Sequence, residues 1–121
     1  MALTEYDSEL DIDPMFATTH REIWQRLGEC GTWWTGTQRV AAMSEARAAF
    51  ECHLCSERSD ALSPSMIEGK HDSVSDLPLE AVELVHRLTT DPGRLTQEWA
   101  NATIGALGEE RYVELVIIVC T

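Results

Sequence analysis

The chain has 121 residues, 44% of them apolar and 25% charged, with four tryptophans and a formal net charge of -12. That composition fills one hydrophobic core and excludes wholesale disorder. The acidity, with no Lys/Arg cluster, excludes nucleic acid as a partner and disfavours anionic membranes.

Residues 1–12 read as a loose acidic arm ahead of a single domain over 13–121. The early carboxylates Glu5, Asp7, Glu9, Asp11 and Asp13 stand where a secretory leader is basic and then apolar, so a cytoplasmic location is the expectation. Asp13-Pro14 is an N-cap followed by proline at the first helical position, and it predicts a first helix. Phe16, His20, Ile23, Trp24 and Leu27 share one face, and Gly28 and Gly31 end it. Thr32 to Gly36 predicts a turn whose two rings, Trp33 and Trp34, are clamped between helices. Thr35 or Thr37 caps the next segment. Ala, Glu, Arg and Met dominate from Thr37 to about Arg58 and predict the longest helix, with Val40, Met43, Phe50 and Leu54 along one face.

Residues 62–77 read as a long polar connection of the kind that is often functional or mobile. The next helix starts at Pro78, capped by Asp76 or Ser75, with Leu79, Val82, Val85/His86 and Leu88 as its stripe. Asp91-Pro92 repeats the cap-plus-proline signal for a helix carrying Leu95, Trp99, Ala102 and Ile104, which stops at Gly108. The last helix runs from Glu109 through Tyr112, Leu115, Val116 and Val119. Its apolar run at 115–120 predicts cover, from the core, from a partner chain or from a further C-terminal part. No span reaches the roughly 20 apolar residues a bilayer demands. Gly36-x-x-Arg39 and Gly108-x-x-Arg111 echo one another as helix starts. The expectation is an all-α domain of about five helices.

Four cysteines, Cys30, Cys52, Cys55 and Cys120, are too few for a disulfide scaffold. Cys52-x-x-Cys55 sets two sulfurs one helical turn apart, which suits a dithiol redox cycle. One thiol must then ionise near neutral pH, with help from a helix N-terminus, a cation or a base. His53 lies inside the pair. Glu45 precedes Cys52 by two turns on the same face and would pass protons if burial raised its carboxyl pKa. Catalytic candidates are therefore Cys55, Cys52, Glu45 and His53. Two rival readings stand beside this one. The cysteines are packing residues, or they bind a metal. Zinc wants four ligands, for which Cys52 and Cys55 would need His53, His71, His20 or His86, and no second Cys-x-x-Cys is present. No metal or cofactor is expected. His86 on an apolar stripe reads as a core or interface histidine, His71 as part of a solvated loop, His20 as packing, Cys120 as a buried spectator, and Cys30 as a solvent-near turn residue.

Trp-Trp-Thr-Gly-Thr-Gln-Arg-Val-Ala-Ala-Met at 33–43, then Glu-Ala-Arg-Ala-Ala-Phe-Glu-Cys-His-Leu-Cys at 45–55, resembles the alkylhydroperoxidase D-like family, which includes the carboxymuconolactone decarboxylases. The stretch Leu-Thr-Thr-Asp-Pro-Gly-Arg-Leu-Thr at 88–96 has the same flavour. The resemblance implies an all-helical homo-oligomer that reduces a small peroxide and is reset by a dithiol reductant protein. It implies Cys55 as the peroxide-attacking thiol, Cys52 as the resolving one, and a Glu/His proton relay. The family's relay Glu position holds Val40 here, and its relay His position holds Ser59. Ala48-Ala49-Phe50-Glu51 shows no helix break before the pair, so no helix N-terminus is expected there. Two alternatives remain: a non-catalytic helical oligomerisation module, and a carboxymuconolactone decarboxylase-like enzyme acting on a small organic acid.

Overall fold

A computed structural model describes residues 11–29 and 31–121. The acidic arm before residue 11 and the Cys30 turn lie outside the described residues. Over the described residues the domain is all-α, with six α-helices: α1 (Pro14–Leu27), α2 (Gly36–Ala48), α3 (His53–Asp60), α4 (Leu79–Thr90), α5 (Gln97–Leu107) and α6 (Glu109–Cys120). Among the described residues no helix is long and apolar enough to cross a membrane.

Local signals set several boundaries. The Asp13 carboxylate accepts the Met15 N–H at 2.8 Å, with proline at the first helical position of α1. Thr35 and Gln38 form a reciprocal capping box at the start of α2, with bonds of 3.1 and 3.0 Å. Gly108 has φ +91°, a backbone state that L side chains rarely adopt, and it breaks α5 from α6. Other boundaries moved. Neither Asp76 nor Ser75 caps α4; Pro78 occupies that place without a side-chain bond. Asp91-Pro92 opens only a 3₁₀ turn, and α5 starts later, where Thr96 accepts the Trp99 N–H at 3.1 Å.

The helix expected over 37–58 is two helices. A 3₁₀ turn at Ala49–Glu51 follows α2, and Cys52 is extended (φ −74°, ψ 126°) at the N-cap of α3. Residue propensity favours continuation, but tertiary contacts outweigh it. Arg58 of α3 reaches Glu83 of α4 at 2.9 Å. Arg94 supplies donors to the Arg58 and Ser59 carbonyls at 2.9 and 3.2 Å, groups a helix end leaves without partners. These bonds fold α3 back onto α4.

Helix α4 is the centre. Ala81, Val82, Leu84, Val85, His86 and Arg87 are all buried, so the helix is enclosed nearly all round. It packs against α2, α3, α5 and α6. Ala42 and Ala81, both fully buried, let α2 and α4 approach closely, and Leu115 and Ile118 bring α6 into the same core. Trp34 is buried and tied to α6 through Arg111 O (2.9 Å) and Glu114 (2.8 Å), whereas its neighbour Trp33 is half exposed. Phe16, Val40, Phe50 and Leu79, expected on apolar faces, stand out in solvent. In α6 the 115–120 run is covered on its Leu115/Ile118 side, while Ile117 stays exposed, as does Cys120.

Candidate functional site

The fold brings four elements to one point. Glu45 projects inward from α2, Cys52 and Cys55 from the start of α3, and Glu83 and His86 from α4. The polar connection crosses over them and contributes His71 to Ser75. Asp72 fastens this crossing. Its backbone N–H donates to Cys52 Sγ at 3.3 Å, and its carboxylate accepts the His53 N–H at 2.9 Å, at the positive end of α3.

The sulfurs face two imidazoles. His71 Nδ1 lies 3.5 Å from both Cys52 Sγ and Cys55 Sγ, and His86 Nδ1 lies 3.4 Å from Cys55 Sγ. The two rings stand 4.5 Å apart, centroid to centroid. Each imidazole turns its far nitrogen to a carboxylate. His86 Nε2 meets Glu45 Oε2 at 2.9 Å, with both side chains fully buried, and His71 Nε2 meets Glu83 Oε2. Glu83 is itself held by Arg58 and by the Trp99 indole N–H at 3.3 Å. The second oxygen of Glu45 accepts Ser73 Oγ (2.9 Å), Val74 N–H (2.5 Å) and Ser75 Oγ (3.1 Å).

These partners fix the protonation pattern. Burial alone would raise the Glu45 pKa, but His86, the Val74 N–H and the two serine hydroxyls outweigh it and hold the pKa below the usual carboxylate value. This corrects the expectation that burial makes Glu45 a proton carrier; it is a fixed acceptor. Glu83 is likewise pulled down, to about 2, because His71 and Arg58 overcome its desolvation. An ionised carboxylate only accepts, so each Nε2 carries a proton and each Nδ1 faces sulfur.

The two thiols diverge. Burial pushes Cys52 up, yet the backbone N–H groups of Cys55 and Asp72, aided by His71 and His86, bring it down to about 6. Burial, the negative charge of Cys52 and the carboxylate of Glu83 push Cys55 up to about 12, against a smaller opposing effect from the Thr90 hydroxyl. His71 is raised: its burial is overcome by Glu83 and Cys52. The pair therefore holds one negative charge, on Cys52, opposite the His71 imidazole. Cys55 lines a cavity of about 280 Å³ with Ser56, Ser59 and Thr90, and His71 and Glu83 line another of about 380 Å³ with Trp99.

Of the four expected catalytic residues, Cys52, Cys55 and Glu45 meet here. The His53 side chain is 91% exposed and pairs with Asp72 at 2.9 Å, so it points away from the sulfurs despite lying between them in sequence. At the first position of α3 it is carried to the solvent side. The histidines at the sulfurs are His71 and His86, which the sequence offers as two of four possible metal partners of the cysteines and otherwise assigns to a solvated loop and to an apolar helix stripe. Their signal was the order Cys-x2-Cys-x15-His-x14-His. The helix break before the pair, not expected from Ala48 to Glu51, is present, and it gives Cys52 its N-cap position.

No protein-family model matches the chain, and comparisons with curated proteins and with solved structures found no match.

Proposed function

We propose that this chain reduces a small peroxide through Cys52 and Cys55, as the resemblance to the alkylhydroperoxidase D-like family implied. One observation carries the reading: the Cys55 thiol, on the wall of a cavity, contacts His86 Nδ1 at 3.4 Å, and Nε2 of that ring is held by the buried Glu45 carboxylate. Burial and the Cys52 charge hold the Cys55 thiol up, so it reacts only by giving its proton to a base. The imidazole beside it, held by a carboxylate, is that base already oriented.

The cycle follows from that arrangement. His86 Nδ1 takes the Cys55 proton, and Glu45 stabilises the imidazolium. The Cys55 thiolate attacks the terminal peroxide oxygen. The O–O bond breaks, the S–O bond forms, and the departing alkoxide takes the proton from His86 and leaves as the alcohol. Cys55 is now a sulfenic acid. The Cys52 thiolate attacks its sulfur, and the hydroxide expelled takes a proton from the His71 imidazolium, leaving as water. The two sulfurs turn toward one another to close the disulfide. A dithiol reductant returns two electrons and two protons, which restores the pair and the His71 imidazolium.

The test is peroxide consumption with a dithiol reductant. Cys55→Ser is expected to fall to the rate of buffer alone. Cys52→Ser is expected to stop at a sulfenic acid that dimedone traps at Cys55. Parent-level consumption by Cys55→Ser overturns the reading.

A further inference from the structure

We propose that Cys52, Cys55, His71 and His86 form a tetrahedral binding site for Zn²⁺. Each offers one ligand atom, and all four atoms lie within 4.8 Å of one another. Zinc at about 2.3 Å from sulfur and about 2.0–2.1 Å from nitrogen sets a tetrahedral sulfur-to-nitrogen edge of about 3.5 Å. Three of the four sulfur–nitrogen separations here are 3.4, 3.5 and 3.5 Å, and the remaining donor pairs lie within 4.8 Å. Three of the six edges already have the length of a zinc tetrahedron, and small side-chain rotations bring in the rest.

The surroundings point the same way. Both Nε2 atoms are engaged by carboxylates, which leaves both Nδ1 atoms aimed at the sulfurs, and metal binding displaces the proton that His71 Nδ1 carries in the metal-free pair. A carboxylate behind each histidine is the arrangement that orients metal-bound imidazole and strengthens it as a ligand. The donor set is soft and contains no oxygen, which favours Zn²⁺ and disfavours Mg²⁺ and Ca²⁺. Two thiolates and a divalent ion sum to no net charge, a combination suited to buried ligands. With four protein ligands no position is left for substrate, so the bound ion braces the fold and holds the thiols back from peroxide. The site stands on geometry alone and does not depend on the peroxide reading.

The test uses the full chain, reduced, stripped of metal and kept free of oxygen and peroxide, so that its outcome is separate from peroxide consumption. Titration with Co²⁺ is expected to give the intense visible bands of tetrahedral cobalt and a thiolate charge-transfer band, complete at one ion per chain and displaced by Zn²⁺. His71→Ala, on the connection rather than in the helical core, is expected to weaken Zn²⁺ binding at least tenfold. Glu83→Gln, which leaves all four ligands in place, is expected to weaken it about 10- to 100-fold. His53→Ala, at the exposed neighbouring histidine, is expected to bind as the parent does. Absence of binding by the parent overturns the proposal, as does a weak octahedral cobalt spectrum or unchanged affinity in His71→Ala.

Discussion

Replacing Glu45 separates its structural from its chemical role. Its carboxylate takes four hydrogen bonds where no water reaches: Ser73, Val74 and Ser75 on one oxygen, His86 on the other. Glu45→Ala strands the Val74 N–H and the His86 Nε2–H, since the serine hydroxyls alone can rotate to new partners. Each buried donor left without a partner costs about 1–3 kcal/mol, so the two together cost about 2–6 kcal/mol. Glu45→Gln keeps the shape, and its amide oxygen still accepts the three donors of the connection. Its amide nitrogen then meets His86 Nε2–H donor to donor. The imidazole relieves this by moving its proton to Nδ1, at a stability cost of about 1–3 kcal/mol. That tautomer presents N–H instead of a lone pair to Cys55, so it neither takes the thiol proton nor ligates a metal. The expected result in urea unfolding followed by tryptophan fluorescence is a large loss for Ala and a small one for Gln. Peroxide consumption by Glu45→Gln should nevertheless fall about 10²- to 10⁴-fold, the usual worth of a general base. If the Gln protein is destabilised as much as the Ala protein, or keeps peroxide activity within about twofold of the parent, the tautomer argument is wrong.

The pKa of Glu83 is depressed from 4.5 to about 2, so its stabilising contribution is complete above pH 4.5 and disappears as the pH falls toward 2. After allowance for solvent screening at this partly exposed carboxylate, that contribution is about 1–2 kcal/mol, and the acid slope of unfolding free energy should flatten by that much in Glu83→Gln. Thr35→Ala removes the capping box of α2 and is expected to cost about 1 kcal/mol in denaturant unfolding, with no change in cobalt binding. Leu84→Ala opens a cavity in the enclosed face of α4 and is expected to cost about 2–5 kcal/mol in the same assay. Peroxide added to the zinc-loaded protein is expected to release the ion as the two thiolates pair. One peroxide and two protons are consumed, one alcohol and one water form, and a chromogenic chelator reads the freed zinc; a disulfide forming with zinc retained would contradict this.

Much of the architecture was legible because it rests on neighbours in sequence. Asp13-Pro14, Thr35 with Gln38, and Gly108 act on their own backbone within a few residues, so each marks a helix end wherever the rest of the chain lies. The apolar spacing of α4 likewise announced a packed helix, although not that it would be covered nearly all round. Face assignments failed at Phe16, Val40 and Leu79 for a related reason. A helical stripe says which residues point together, and only the neighbouring helices decide whether anything covers them.

The sequence by itself determined an all-helical chain and singled out Cys52, Cys55 and Glu45, because helical propensity, capping and a two-residue cysteine spacing are local. Only the tertiary structure decided that α2 and α3 are separate helices, that His53 faces solvent, and that His71 and His86 reach the sulfurs. Those outcomes depend on Arg58 meeting Glu83, on Asp72 meeting Cys52, and on a connection laid across the carboxylate of Glu45. Contacts between residues 20 to 41 positions apart leave no periodic trace in the chain, and they set the chemistry around the cysteines.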